Sequence, residues 1–188
     1  MPDMPPTFTG SGDDGTTGLL GEGRVPKHHP RIAASGDLDE ASAALGLARA
    51  LAQSQDARST LTTIQRDLYA LMAEVSSLPE NAARFRTIDG GRVTWLEETI
   101  RRWEAQVAMP SGFILPGDSL GGAAAALART IVRRAERDVA DLTLSGDLEN
   151  PELLRYLNRL SSLCFVLELL ENQAAGVNSP SLARPSPS

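Results

Sequence analysis

Between residues 119 and 144 the chain places Leu120, Ala124, Leu127, Ile131, Ala135, Val139 and Leu142 at steps of three and four, with no proline between them. Such spacing puts all seven on one side of an α-helix and on no single face of a strand. The pattern recurs in Leu61, Ile64, Leu68, Leu71, Met72 and Val75, and in Val93, Leu96, Ile100, Trp103 and Val107. It returns in Leu153, Leu157, Leu160, Cys164, Leu167 and Leu170, and, among alanines, in Leu38, Leu45, Leu47 and Leu51. These stripes predict helices over about 37–54, 57–78, 89–107, 119–144 and 150–173. No segment reads as a strand and no internal repeat is found. The expected class is all-α, a five-helix bundle in which each stripe covers its neighbours.

Boundary signals refine this. Asp37 with Glu40 three residues on fits a capping box at the start of the first helix, and Pro79 ends the second. Residues 1–36 are rich in Gly, Thr, Pro and Asp without either period, so they predict an extended glycine-rich arm. The bundle is expected over 37–173, and residues 174–188, ending SPSLARPSPS, as a disordered tail.

The net charge of −6 argues against a nucleic-acid surface, which needs a basic face. No apolar run is long enough to span a membrane, and MPDMPPTFTGSGDD has neither a basic nor an apolar leader region. Cys164 is the sole cysteine, which excludes an internal disulfide and fits a reducing, cytoplasmic setting. The adjacent His28 and His29 lack a third ligand nearby, so no metal site is expected there.

Against this acidic background, RTIVRRAER gathers cations on one helix. Arg129, Arg133 and Arg137 recur every fourth residue and share one side, flanked by Arg134 and Glu136. A solvated face with local pairs is one reading; the other is a site for an anion, since stacked guanidiniums repel unless something negative lies between them. TGSGDDGTTGL, residues 9–19, is either a flexible tail or a loop whose backbone N–H groups approach phosphates closely. Lys27, the only lysine, follows it. In YLNRLS, Asn158 and Arg159 interrupt an apolar stripe, either as surface groups or to read a ligand's polar edge. Phe113, in a Gly/Pro loop, reads alone as a loop anchor.

Five segments, TGSGDDGTTGL, KHHPRIAASGDLDEASAALGLARA, FILPGDS, ALARTIVRRAER and YLNRLS, together resemble the PduO-type ATP:cob(I)alamin adenosyltransferases over about residues 7–172. The resemblance implies a homotrimer with ATP between subunits. The arm of one chain would fold over a nucleotide held by the arginines of the next, with a cobalamin at the adjacent end of the bundle. Co(I) would attack the 5′ carbon of ATP, giving adenosylcobalamin and triphosphate. By the same resemblance, Arg133, Arg137, Thr9, Gly10, Ser11, Gly15, Thr16 and Lys27 hold the phosphates with Mg²⁺. Glu136 and Asn158 orient the adenosine portion or the arginines. Asp39 would pair with Arg129 across subunits, and Phe113 would displace the lower axial ligand of the corrin. A reductase and a cobalamin-dependent enzyme are the implied partners.

The chain departs from the family pattern at Ser35, Ala41, Ser42, Asp118 and Ser162. The phosphate-side residues match more fully than the corrinoid-side ones. A non-catalytic trimeric nucleotide- or corrinoid-binding paralogue is therefore the alternative, and a structural bundle with arginines paired across subunits the third.

Overall fold

A computed structural model describes residues 8–184, so the first seven residues of the predicted arm and the last four of the predicted tail lie outside it. The described chain runs β1 (Thr16–Gly18), β2 (Arg24–Pro26), α1 (Pro30–Leu51), α2 (Gln55–Val75), α3 (Pro79–Ala82), α4 (Gly90–Glu104), α5 (Leu120–Leu144) and α6 (Pro151–Ala174). It is mostly helical: the five predicted stripes fall on α1, α2, α4, α5 and α6, except that Val107 lies past the end of α4 and Leu47, Leu51, Leu120 and Leu127 are exposed, and α3 is a single turn.

The core forms where the stripes meet. α6 packs on α5 and α4, α5 on α1, and α1 on α2. Leu38, Leu45, Leu61, Leu68, Leu96, Leu157 and Leu160 are fully buried among them. Each such side chain contributes roughly 1.5–3 kcal/mol relative to exposure. The face of α5 is built from small residues, with Ala124, Ala125, Ala128 and Ala135 buried, which lets the leucines of α6 approach closely. At the start of α5 the approach is tighter still. A Cβ on Gly121 would lie 2.8 Å from Glu171 Oε2, and one on Gly122 would collide with Asn172. The Ser119 hydroxyl caps α5 by accepting the Gly122 N–H at 2.9 Å and donates to Asn172 Oδ1 at 2.7 Å.

Three expectations are corrected. The first helix begins at Pro30, not Asp37: His29 is its cap, and proline at the first position already lacks the N–H that a helix start leaves unpaired. Asp37 and Glu40 sit inside the helix and turn to Arg134 instead. The arm contains a strand pair, antiparallel, with Thr16 opposite Pro26 and Gly18 opposite Arg24; three residues a side are too short to show a period of two. The predicted disordered tail is ordered in part, because Ser181 and Ala183 hydrogen-bond to the loop at Phe113 and Leu115.

Arg31 ties the arm's base to the bundle. Its buried guanidinium donates to the Val75 and Ser77 carbonyls, each at 2.9 Å, and to the Asp147 carbonyl. Leu19 is buried, and Leu20 exchanges backbone bonds with Ser76 and Leu78 at 2.7 and 3.3 Å, so the hairpin docks on the end of α2.

Candidate functional site

The four arginines of α5 divide by direction. Arg134 faces α1, where its Nε donates to Asp37 Oδ2 at 3.1 Å and it also pairs with Glu40. Arg129, Arg133 and Arg137 face α6. Among the described residues none of these three has a carboxylate at ion-pair distance; Arg137 donates only to the Arg133 carbonyl, at 2.9 Å. Two acids of α6 and α4 are taken by other cations, whereas Glu104 lines the Arg129 and Arg133 cleft without an ion pair among the described residues. Arg155 donates to Glu152 at 2.9 Å, and Arg159 donates to Glu97 at 2.9 Å.

Along this face run three adjoining clefts. The first, about 280 Å³, is lined by Phe113, Ile114, Pro116, Arg129, Phe165 and Glu168. The second, about 320 Å³, lies between Arg129, Arg133, Ser161, Ser162 and Phe165. The third, about 430 Å³, is bounded by Arg133, Glu136, Arg137, Arg155, Asn158 and Arg159. Arg129 is shared by the first two and Arg133 by the last two, so the row of guanidiniums links a mostly apolar end at Phe113 to a polar end at Asn158. Asn158 is oriented there: its Nδ2 donates to Glu136 Oε1 at 2.8 Å, and its Oδ1 accepts from Arg159 at 2.7 Å.

The apolar end holds unspent polar capacity. Arg129 Nε and Glu168 Oε1 are buried without a hydrogen-bond partner. Burial raises the Glu168 carboxyl above its ordinary range, opposed by Arg129. Glu168 escaped the sequence reading, although an acid inside the apolar run LCFVLELL was a visible signal. Cys164, on the same helix, is fully buried, and burial pushes its thiol up to about 12, which leaves it inert at neutral pH.

The arm residues collect in one turn. Gly10 and Gly15 take positive φ, 72° and 82°, which other residues rarely adopt. The Thr9 and Ser11 hydroxyls lie 2.8 Å apart, Asp14 accepts the Thr16 N–H at 2.9 Å, and the Lys27 N–H donates to the Gly15 carbonyl at 2.9 Å. A Cβ on Gly12 would stand 3.2 Å from Lys27 Nζ, so the ammonium lies across this turn. Among the described residues, none of the arm lines the arginine clefts of the same chain. Asp39 is exposed on α1 and makes no ion pair among the described residues. Of the two histidines, His29 is a helix cap, and among the described residues no three His, Cys, Asp or Glu gather as a metal cage.

On the α1 side of α5, burial pushes the Asp138 carboxyl up to about 6, reinforced by a hydrogen bond and charge from Asp37 and by Asp141, and opposed by Arg137. Its folded pKa exceeds the unfolded value, so the protonated form adds stability below about pH 4, and that contribution is lost as pH rises through about 6. Asp138→Asn mimics the protonated form. It is expected to gain about 1 kcal/mol or less at pH 7.5, the group being partly screened by solvent, and nothing near pH 4. Thermal unfolding at the two pH values checks this; equal shifts at both refute it.

Known proteins resemble the chain in sequence and in fold. The family model for cobalamin adenosyltransferase matches residues 7–171. The chain is 38% identical over 169 residues to the corrinoid adenosyltransferase PduO of Salmonella typhimurium, covering 89% of this chain and 50% of that protein. It thus spans about half the length of that relative. A cobalamin adenosyltransferase of Cupriavidus metallidurans is 38% identical over 169 residues, 89% of each chain. Among solved structures, a variant PduO-type ATP:corrinoid adenosyltransferase from Lactobacillus reuteri, complexed with cobalamin and ATP, superposes with a TM-score of 0.87 at 31% identity, over 97% of this chain and 98% of that one. By the family model, which matches most of its length, and by these relatives in sequence and fold, the chain belongs to the cobalamin adenosyltransferase family.

Proposed function

We propose that the chain transfers the 5′-deoxyadenosyl group of ATP to the cobalt of a Co(I) corrinoid, releasing triphosphate. The observation that carries this reading is the row Arg129, Arg133 and Arg137, which links an apolar cleft under Phe113 to a polar cleft at Asn158 while lacking carboxylate partners among the described residues. A polyphosphate fits the middle of such a row and a flat apolar ring fits its end.

The reaction breaks the C5′–O5′ bond as the cobalt electron pair forms the Co–C bond, and the leaving triphosphate takes up negative charge. Arg133 and Arg137 stabilise that charge as it develops. Mg²⁺, when bound, would neutralise phosphate oxygens. The donor set suits it: Glu136 lines the polar cleft and uses only Oε1 toward Asn158, and Mg²⁺ typically takes one or two carboxylates beside phosphates and waters. Asn158, held between Glu136 and Arg159, presents a fixed amide to the nucleoside portion. The subunits are proposed to form a homotrimer of five-helix bundles. The arm turn of Thr9, Gly10, Ser11, Gly15, Thr16 and Lys27 then covers phosphates held by the neighbour's arginines, and Asp39 meets the neighbour's Arg129. That the described residues of the arm line none of their own chain's arginine clefts supports a site completed between chains.

Calorimetry with MgATP, followed by incubation with MgATP and chemically reduced cobalamin, tests the reading. Loss of Co(I) absorbance and one triphosphate per adenosylated corrinoid are expected. Nucleotide binding without turnover leaves a binding paralogue, and no binding leaves a structural bundle.

A further inference from the structure

Beyond α6 the chain turns back at Gly176, φ 84°, and runs along the loop that carries Phe113. The Leu115 N–H donates to the Ser181 carbonyl at 2.7 Å, and the Ala183 N–H donates to the Phe113 carbonyl at 2.7 Å. Ile114 and Leu182 pair as an antiparallel bridge. Two backbone bonds make a short ladder, and a ladder this short has little to fix its register. Side chains do so here. Asp118 Oδ2 accepts the Ser181 N–H at 2.8 Å, and Oδ1 accepts the Ser181 hydroxyl at 2.7 Å. The backbone bond first, then the hydroxyl, hold the Asp118 carboxyl below its ordinary range, so it stays ionised at neutral pH.

Register decides what Phe113 does. Successive side chains of a paired segment point to opposite faces. Ile114 is 6% exposed and faces the protein, while its neighbours Phe113, 81% exposed, and Leu115, 52% exposed, face out. A slip of the 181–183 segment by one residue would turn its own side chains, Leu182 included, to the opposite face and shift the backbone to which Phe113 is bonded. The returning segment also builds the far side of the site: Ala183 and Arg184 line a cleft with Gly112 and Phe113.

We propose that Asp118, by gripping Ser181, is a positioning residue that sets the register of the 181–183 segment on the Phe113 loop and so aims Phe113 at the corrinoid. The inference rests on the corrinoid reading of the Phe113 cleft. It concerns the corrinoid half of the reaction alone, since Asp118 lines none of the arginine clefts.

The test uses the full chain with Asp118→Ala and Asp118→Asn. An amide preserves the grip, because its oxygen accepts the Ser181 N–H and its nitrogen donates to the Ser181 hydroxyl. Hydrogen exchange is followed at the Leu115 and Ala183 amides, and KM for prereduced corrinoid and for ATP is measured separately. Asp118→Ala is expected to speed exchange at both amides about tenfold and raise the corrinoid KM about tenfold, with the ATP KM within about twofold; Asp118→Asn restores both. Faster exchange with an unchanged corrinoid KM would overturn the proposal by making the grip structural only. Unchanged exchange would overturn it by showing that the grip does not hold the segment. Equal rises in both KM values would overturn it as a global effect. Wild-type protein that consumes no Co(I) corrinoid would instead remove the adenosyltransferase reading itself, and the proposal with it.

Discussion

Arg133→Ala is expected to lower adenosyl transfer by about a thousandfold while helical content, melting temperature and assembly stay as in the wild type. The two halves of that expectation have separate grounds. Arg133 is exposed and donates to no carboxylate among the described residues, so its removal should cost the fold little. Yet it is the member of the row shared by the middle and polar clefts, where the bridging phosphates would lie. Loss of one preorganised donor at a developing anion typically costs 10²–10³ in rate, about 3–4 kcal/mol, and a bidentate guanidinium belongs at the upper end. Arg133→Lys keeps the charge and loses the fork, so it should fall between. Stopped-flow decay of Co(I) absorbance at saturating MgATP measures the effect. Wild-type rates in the alanine variant would show that the row is a solvated helix face.

Most of the architecture was legible because it is periodic. A stripe such as Leu153, Leu157, Leu160, Cys164 and Leu167 has one way to be buried, and α6 buries it. What escaped was set by contacts distant in sequence. Asp37 and Glu40 mimic a helix start because capping needs an acid three residues from another polar group, and an inter-helix ion pair with Arg134 can use the same spacing. The true cap, His29, is a weak capping residue, and only the following Pro30 marks it. The tail reads as low-complexity, and its ordering comes from a carboxylate more than sixty residues upstream, Asp118, 63 positions from Ser181.

The site was legible in a different degree. Arg129, Arg133 and Arg137 on one side of a helix follow from spacing alone, and the structure adds what spacing could not: that Arg134 is diverted to α1 and the other three are not. Asn158 as a fixed amide needs Glu136 from one helix and Arg159 beside it, a relation no linear motif reveals. The arm turn and the arginine row are both recognisable as phosphate-binding chemistry. Among the described residues the arm turn lines none of the arginine clefts, a separation in space that no local pattern of the sequence encodes.

Phe113→Ala carries the second large effect, and its direction discriminates two roles. The ring is 81% exposed, so truncation removes little core and should leave stability within about 0.5 kcal/mol. The exposed ring lines one cleft with Phe165, Ile114 and Pro116, which together offer an apolar surface to a flat ligand. If the ring wedges under a corrin, it excludes a polar lower ligand from cobalt. Co(II) without that ligand is easier to reduce, because the electron no longer enters an orbital raised by a donor. The benefit applies to the reduction and not to the attack on C5′. Starting from Co(II) with an external reductant, the alanine variant should therefore react about a hundredfold slower than wild type, equivalent to about 2.7 kcal/mol of barrier; starting from prereduced Co(I), it should lose no more than about tenfold. Parallel assays on the same preparation, with the optical spectrum of bound Co(II) as an independent readout, separate the cases. Equal losses from both starting states would assign Phe113 to binding the corrin face and not to controlling its axial ligand.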